Sequence, residues 1–120
     1  MAGCVVAVVA ACGDRGPPAS DAPDPAVCAA ELEAALDRQC TAPADCVLVS
    51  HDDCCGIVRY AVRAGTEAGF PAAEAAYQAC RSCPPLGCSH ADQAEDGRVP
   101  SGGQAIVPTC VAKRCTSVVQ

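Results

Sequence analysis

Tryptophan is absent from this chain, and its other aromatic residues amount to two tyrosines and one phenylalanine. A surface that stacks bases or sugar rings is thereby excluded, because stacking needs several exposed rings in a row. Cationic charge is also scarce: eight Lys and Arg stand against fourteen Asp and Glu, for a net charge of −6, and the eight are scattered. Nucleic acid is therefore not an expected partner, since neutralising phosphates requires clustered basic side chains. No apolar run reaches the ~20 residues that a membrane-spanning helix needs. Bulky core formers are few as well, with Leu, Ile, Val and Phe making up 17 of the 109 residues from Cys12 onward. That lies below the roughly 20% under which packed cores are rare. A buried Val or Leu contributes ~1.5–3 kcal/mol, while ordering each residue costs ~1–2 kcal/mol of backbone entropy, so burial alone leaves such a chain marginal.

Cysteine is what the sequence has in excess, 12 residues in 120. In a chain with room for one domain and a leader, that density reads as a disulfide framework formed in an oxidising compartment.

Residues 4–11, Cys-Val-Val-Ala-Val-Val-Ala-Ala, have the length and apolarity of a signal-peptide core. The run ends in Val9-Ala10-Ala11-Cys12, which resembles the lipobox of bacterial lipoproteins. What the resemblance implies is cleavage before Cys12 and attachment of diacylglycerol to its thiol. The preceding Met1-Ala2-Gly3 departs from the pattern in lacking Lys or Arg. A buried N-terminal element and cleavage by the ordinary signal peptidase are the competing readings. Removing Cys4 and committing Cys12 to lipid leaves Cys28, Cys40, Cys46, Cys54, Cys55, Cys80, Cys83, Cys88, Cys110 and Cys115, an even set that can pair completely. The expected division is a signal peptide over 1–11, a lipidated cysteine and tether over 12–25, and a cysteine-rich domain over 26–120. The tether, rich in Pro, Asp, Gly and small residues, has nothing with which to fold.

Within the domain, Asp24 and Pro25 suit a helix start, and Cys28, Leu32, Leu36 and Cys40 recur every four residues, predicting a helix over 25–40. Residues 46–50 are β-rich, and 57–63 read as a strand on the alternation of Val58, Tyr60 and Val62. Residues 71–80 are alanine-rich with Ala73, Ala76, Tyr77 and Cys80 on one face, predicting a second helix. Residues 84–104 lack periodicity and read as a long loop; 105–112 and 115–119 read as a hairpin turning at Lys113-Arg114, without the Gly or Asn favoured there. The fold class expected is a small disulfide-rich α+β domain: two short helices, a few short antiparallel strands and a C-terminal hairpin.

Several of these features occur together elsewhere. The spacing Cys40-x5-Cys46 with Asp45, the run Val47-Leu48-Val49, the vicinal Cys54-Cys55-Gly56, Ala61-Val62-Arg63-Ala64, and Cys110-x4-Cys115 span about residues 40–118. This arrangement resembles a recurrent cysteine-rich domain of predicted secreted proteins and lipoproteins of bacteria that have no assigned activity. The resemblance implies location and architecture, and it supplies no site residues.

Catalytic and metal-binding patterns are weak. Cys80-Arg81-Ser82-Cys83 has the CxxC spacing of thiol oxidoreductases, but at the C-terminal end of its helix, where the dipole raises a thiol pKa. Cys80, Cys83, Cys88 and His90 offer a zinc-type donor set in no familiar spacing. Ser50-His51-Asp52-Asp53 holds triad residue types, yet neighbours on a strand face opposite ways. Asp92, Glu95 and Asp96 read as solvated loop charge rather than a calcium loop. The expected function is therefore a non-enzymatic, extracytoplasmic lipoprotein, membrane-anchored through its lipid, whose domain meets an envelope protein or cell-wall component and needs no cofactor. The contact is expected in the 84–104 loop through Leu86, His90 and Arg98. The alternatives are a protease-inhibitor-like module presenting Leu86 or Arg98, and an enzyme or metal protein built on His51 or His90.

Overall fold

A computed structural model describes residues 24–81, 83 and 87–120. Residues 1–23, with Cys12 and most of the tether, lie outside the described residues, as does Leu86. Strands β1 (Cys46–Asp52) and β2 (Ile57–Arg63) form one antiparallel hairpin, and β3 (Ile106–Val111) and β4 (Arg114–Val119) form a second. Helices α1 (Pro25–Ala34) and α2 (Phe70–Cys80) complete the expected α+β class.

Alternation along the first hairpin makes it the middle of three layers. Val49 and its cross-strand neighbour Tyr60 pack toward Cys28, Leu32, Phe70 and Tyr77 of the helices. One residue along, Leu48 and Ala61 face the opposite cluster of Cys40, Cys46 and Cys115, beneath the second hairpin.

The start of α1 follows from its sequence: the Asp24 carboxylate accepts the Ala26 amide at 2.8 Å, and Pro25 occupies the first helical position. Its end does not. The helix stops at Ala34, well short of the expected Cys40, with no Gly or Pro to break it. Tertiary structure overrides the four-residue spacing. The Cys115 amide donates to Arg38 O at 2.6 Å and the Cys40 amide to Lys113 O at 3.2 Å, so residues 38–40 run extended along β4. Cys40 thus leaves the helical stripe and joins the second core cluster.

The outer edge of β2 is covered by main chain. Arg59 and Arg63 donate to Gln93 O and Asp37 O at 2.9 and 2.7 Å. On β3, Ala105 and Gln120 exchange two bonds, so alternation places Pro108 where its missing N–H faces away from β4. Proline is tolerated at such an edge position and bars further pairing there. The second hairpin turns at Ala112 and Lys113, one residue before the expected Lys113-Arg114, with φ of 52° and 65°. Two left-handed residues match the strand twist. Each costs an L-residue roughly 1–2 kcal/mol, which the flanking ladder and the bridged Cys110 and Cys115 offset.

Candidate functional site

All ten described cysteines are bridged: Cys28–Cys80, Cys40–Cys110, Cys46–Cys115, Cys54–Cys83 and Cys55–Cys88, with Cα separations of 5.2–6.0 Å. The first joins the helices, the second ties the α1–β1 connection to β3, the third joins β1 to β4 across the layers, and the last two tie the β1–β2 turn to the chain beyond α2. Cys80 and Cys83 belong to different bridges, which removes the dithiol that CxxC redox chemistry needs. The zinc set Cys80, Cys83 and Cys88 is likewise consumed. The sulfurs of Cys40, Cys46 and Cys115 lie within 4.8 Å of one another. They sit in two bridges and carry no thiolate to ligate a metal.

His51, which alternation on β1 turns toward the helices, is buried against Tyr60 at 4.9 Å and Tyr77 at 4.5 Å between ring centroids. Its Nδ1 pairs with Glu74 Oε1 of α2 at 2.7 Å, and Glu74 Oε2 also accepts the Asp52 amide at 2.8 Å. Sequence reasoning missed Glu74, a residue distant in the chain with no motif around it.

His90, one of the two histidines on which an enzyme or metal protein is the alternative reading, meets Asp53 of the β1–β2 turn. Its Nε2 lies 3.2 Å from each Asp53 carboxylate oxygen, and its Nδ1 lies 2.7 Å from Ala91 O. Both ring nitrogens therefore face acceptors, which only the imidazolium satisfies completely. Neither nitrogen is left as a base, and among the described residues no Ser, Thr or Cys side chain bonds to either histidine. The Asp53 carboxylate also accepts the Cys55 and Gly56 amides at 2.9 and 3.1 Å, closing the turn. A Cβ on Gly56 would lie 2.5 Å from His90 O and 2.6 Å from its Nδ1, so this turn requires glycine for close approach.

The hydrogen bond to Ala91, then that to Asp53, raises the His90 pKa above its ordinary 6.5. Desolvation opposes ionisation of Asp53, but the Cys55 amide and His90 outweigh it and hold that carboxyl below its ordinary 3.8. A raised histidine contributes stability that is complete below 6.5 and is lost as pH rises through the folded value; the depressed carboxyl contributes above 3.8 and loses its share as pH falls through its folded value. We expect Asp53→Asn to lower the His90 pKa and to flatten the alkaline loss of protection at the Gly56 and His90 amides. NMR titration checks this, and an unchanged His90 midpoint would refute it.

The 84–104 segment forms no helix or strand among its described residues, yet it is not merely solvated. Gln93 bridges to Val58, Ala94 is fully buried, and Glu95 enters the core. Its Oε1 and Oε2 accept from Arg38 Nη1 at 2.7 and 2.8 Å, and Oε2 also accepts the Ala61 and Ser117 amides at 3.0 and 3.1 Å. Glu95 thus stands between β2 and β4 where a strand would otherwise be needed. Burial opposes the charge on Arg38, but the bonds to Glu95 and Glu33 outweigh it and raise its pKa. The reading of the three acids as solvated charge is corrected for Glu95 alone: Asp92, paired with Arg59 at 2.9 Å, and Asp96, beside Arg98 at 3.6 Å, both stay at the surface. Of the anticipated contact residues, Arg98 is exposed and His90 is engaged in its clasp. No hydrogen bond joins these two.

A surface cleft of about 770 Å³ is lined by Gln39, Thr41, Asp45, Arg63 and Lys113. Asp45 is already committed to the Thr41 and Ala42 amides at 2.9 and 3.0 Å, and these bonds, with Thr41 first, lower its pKa. No family model, curated protein or solved structure matches the chain.

Proposed function

We propose that the chain is a bacterial envelope lipoprotein, anchored through Cys12 on the extracytoplasmic side, whose bridged domain binds an envelope protein or cell-wall component without catalysing a reaction. The observation that carries this reading is the complete pairing of the ten cysteines, which suits an oxidising compartment and leaves no free thiol among the described residues. The occupation of both nitrogens of His90 by structural acceptors supports binding over catalysis. Of the two described residues among the anticipated contacts, Arg98 is the more exposed, held only by a surface pair with Asp96.

Intact mass of protein extracted from membranes is expected to show diacylglycerol on Cys12 as the N-terminal residue, and alkylation without reductant is expected to label none of the other ten. A soluble product beginning elsewhere, or free thiols accompanied by stoichiometric zinc, would overturn the proposal.

A further inference from the structure

A count of main-chain bonds along the strand edges isolates one short stretch. Arg59, Ala61 and Arg63 send their amides away from β1, to Gln93 O, Glu95 Oε2 and Asp37 O. In an antiparallel ladder their partners Ser50, Leu48 and Cys46 must also point outward, on the opposite side. The Cys46 amide is taken by Pro43 O and, further along, the Asp52 amide by Glu74 Oε2. Between these stops, the Leu48 and Ser50 amides meet no acceptor among the described residues. Edge strands are ordinarily guarded by proline, charge or a bulge. Pro108 guards β3, whereas Val47-Leu48-Val49-Ser50 carries none of these devices.

We propose that the outer edge of β1 accepts an extended segment of a partner protein as an added antiparallel strand, bonded through Leu48 and Ser50. Two further observations define that partner's chemistry. Beside Leu48 lies a hollow of about 380 Å³ lined also by Ile106 and Pro100 and bordered by the Arg59–Asp92 pair, whose mutual bond leaves the apolar residues to receive an aliphatic side chain. At the far end, the Asp52 carboxylate accepts the Cys54 amide at 2.9 Å and forms no ion pair among the described residues, Arg81 bonding instead to the Asp52 main-chain oxygen, so a second oxygen is left to meet a basic side chain. A second copy of this chain fits poorly. A two-fold axis through Val49 would set Asp53 against Asp45 of the other copy, and each copy carries a net charge of −6. The proposal rests on reading the domain as a binding module, but it fails separately: the mass measurement tests the anchor, and the titration below tests the edge.

The probe is the acetylated and amidated peptide Lys-Thr-Val-Thr-Val, titrated into the oxidised full chain with amide exchange followed by NMR. Exchange at Leu48 and Ser50 is expected to slow by at least about tenfold, with Cys110 unchanged. Ser50→Pro removes one outward N–H at a position equivalent to that of Pro108, and is expected to abolish the effect while sparing the β1–β2 ladder. Should that variant misfold, N-methylation of the peptide valine opposite Ser50 makes the same cut without touching the protein, and Glu in place of the peptide Lys is expected to weaken binding. Unchanged Leu48 and Ser50 exchange at saturating peptide, equal binding by the N-methylated peptide, or protection that grows with protein concentration alone would each overturn the proposal, the last in favour of a second copy.

Discussion

Replacing Glu95 by Ala is expected to destabilise the oxidised domain by ~3–5 kcal/mol, because removing one partner of a buried ion pair leaves the other charge uncompensated. The Arg38 and Glu95 side chains are 6% and 15% exposed, so solvent does little to replace the bond. Glu33 still reaches Arg38 Nε at 2.8 Å, but it cannot serve the Ala61 and Ser117 amides that Glu95 satisfies. Urea unfolding measures the change. Arg38→Met should make a subsequent Glu95→Ala substitution less costly than it is alone, since the two losses share one interaction. A Glu95→Ala cost below ~1 kcal/mol, the range of an exposed pair, would show the network to be ornamental.

Removal of the Cys46–Cys115 bridge by paired alanine substitution is expected to cost ~2–5 kcal/mol. The bridge closes a loop with a sequence separation of 69, and both residues are buried. Chain-entropy reasoning gives ~4 kcal/mol for such a loop and ~0.8 kcal/mol less for Cys54–Cys83, which spans 29 residues. The expected order in urea midpoint is thus intact, then lacking Cys54–Cys83, then lacking Cys46–Cys115. Full reduction is expected to abolish the cooperative transition, given how few bulky apolar residues remain to hold the layers. A reduced chain that still unfolds cooperatively would contradict the view that bridges supply what burial lacks.

These two cases mark where sequence was informative. The cap at Asp24-Pro25, the strands around Val47–Val49 and Val58–Val62, and the parity of the cysteines were legible because each is a local or countable property. The end of α1 was not, since residues 38–40 leave the helix for hydrogen bonds to β4, far along the chain. Glu95 looks like any loop acid until Arg38 and two strand amides converge on it. Glu74 and His51 are similarly joined only by the packing of α2 on β1. The turn at Ala112 and Lys113 carries no favourable residue, and its conformation is imposed by register on either side.

The adjacency of Cys54 and Cys55 bears on how the chain oxidises. Their native partners close loops of 29 and 33 residues, and closure entropy distinguishes such lengths by only ~0.1 kcal/mol. Random encounter therefore forms the crossed pairing, Cys54 with Cys88 and Cys55 with Cys83, about as readily as the native one. What separates them is folded geometry: Cys54 in the left-handed region at φ 81°, and the His90 amide donating to Cys55 O at 2.8 Å beside Cys88. Molecules that form the crossed pair must reshuffle before that turn can close, so a second, slower phase set by disulfide isomerisation is expected for that fraction during oxidative refolding.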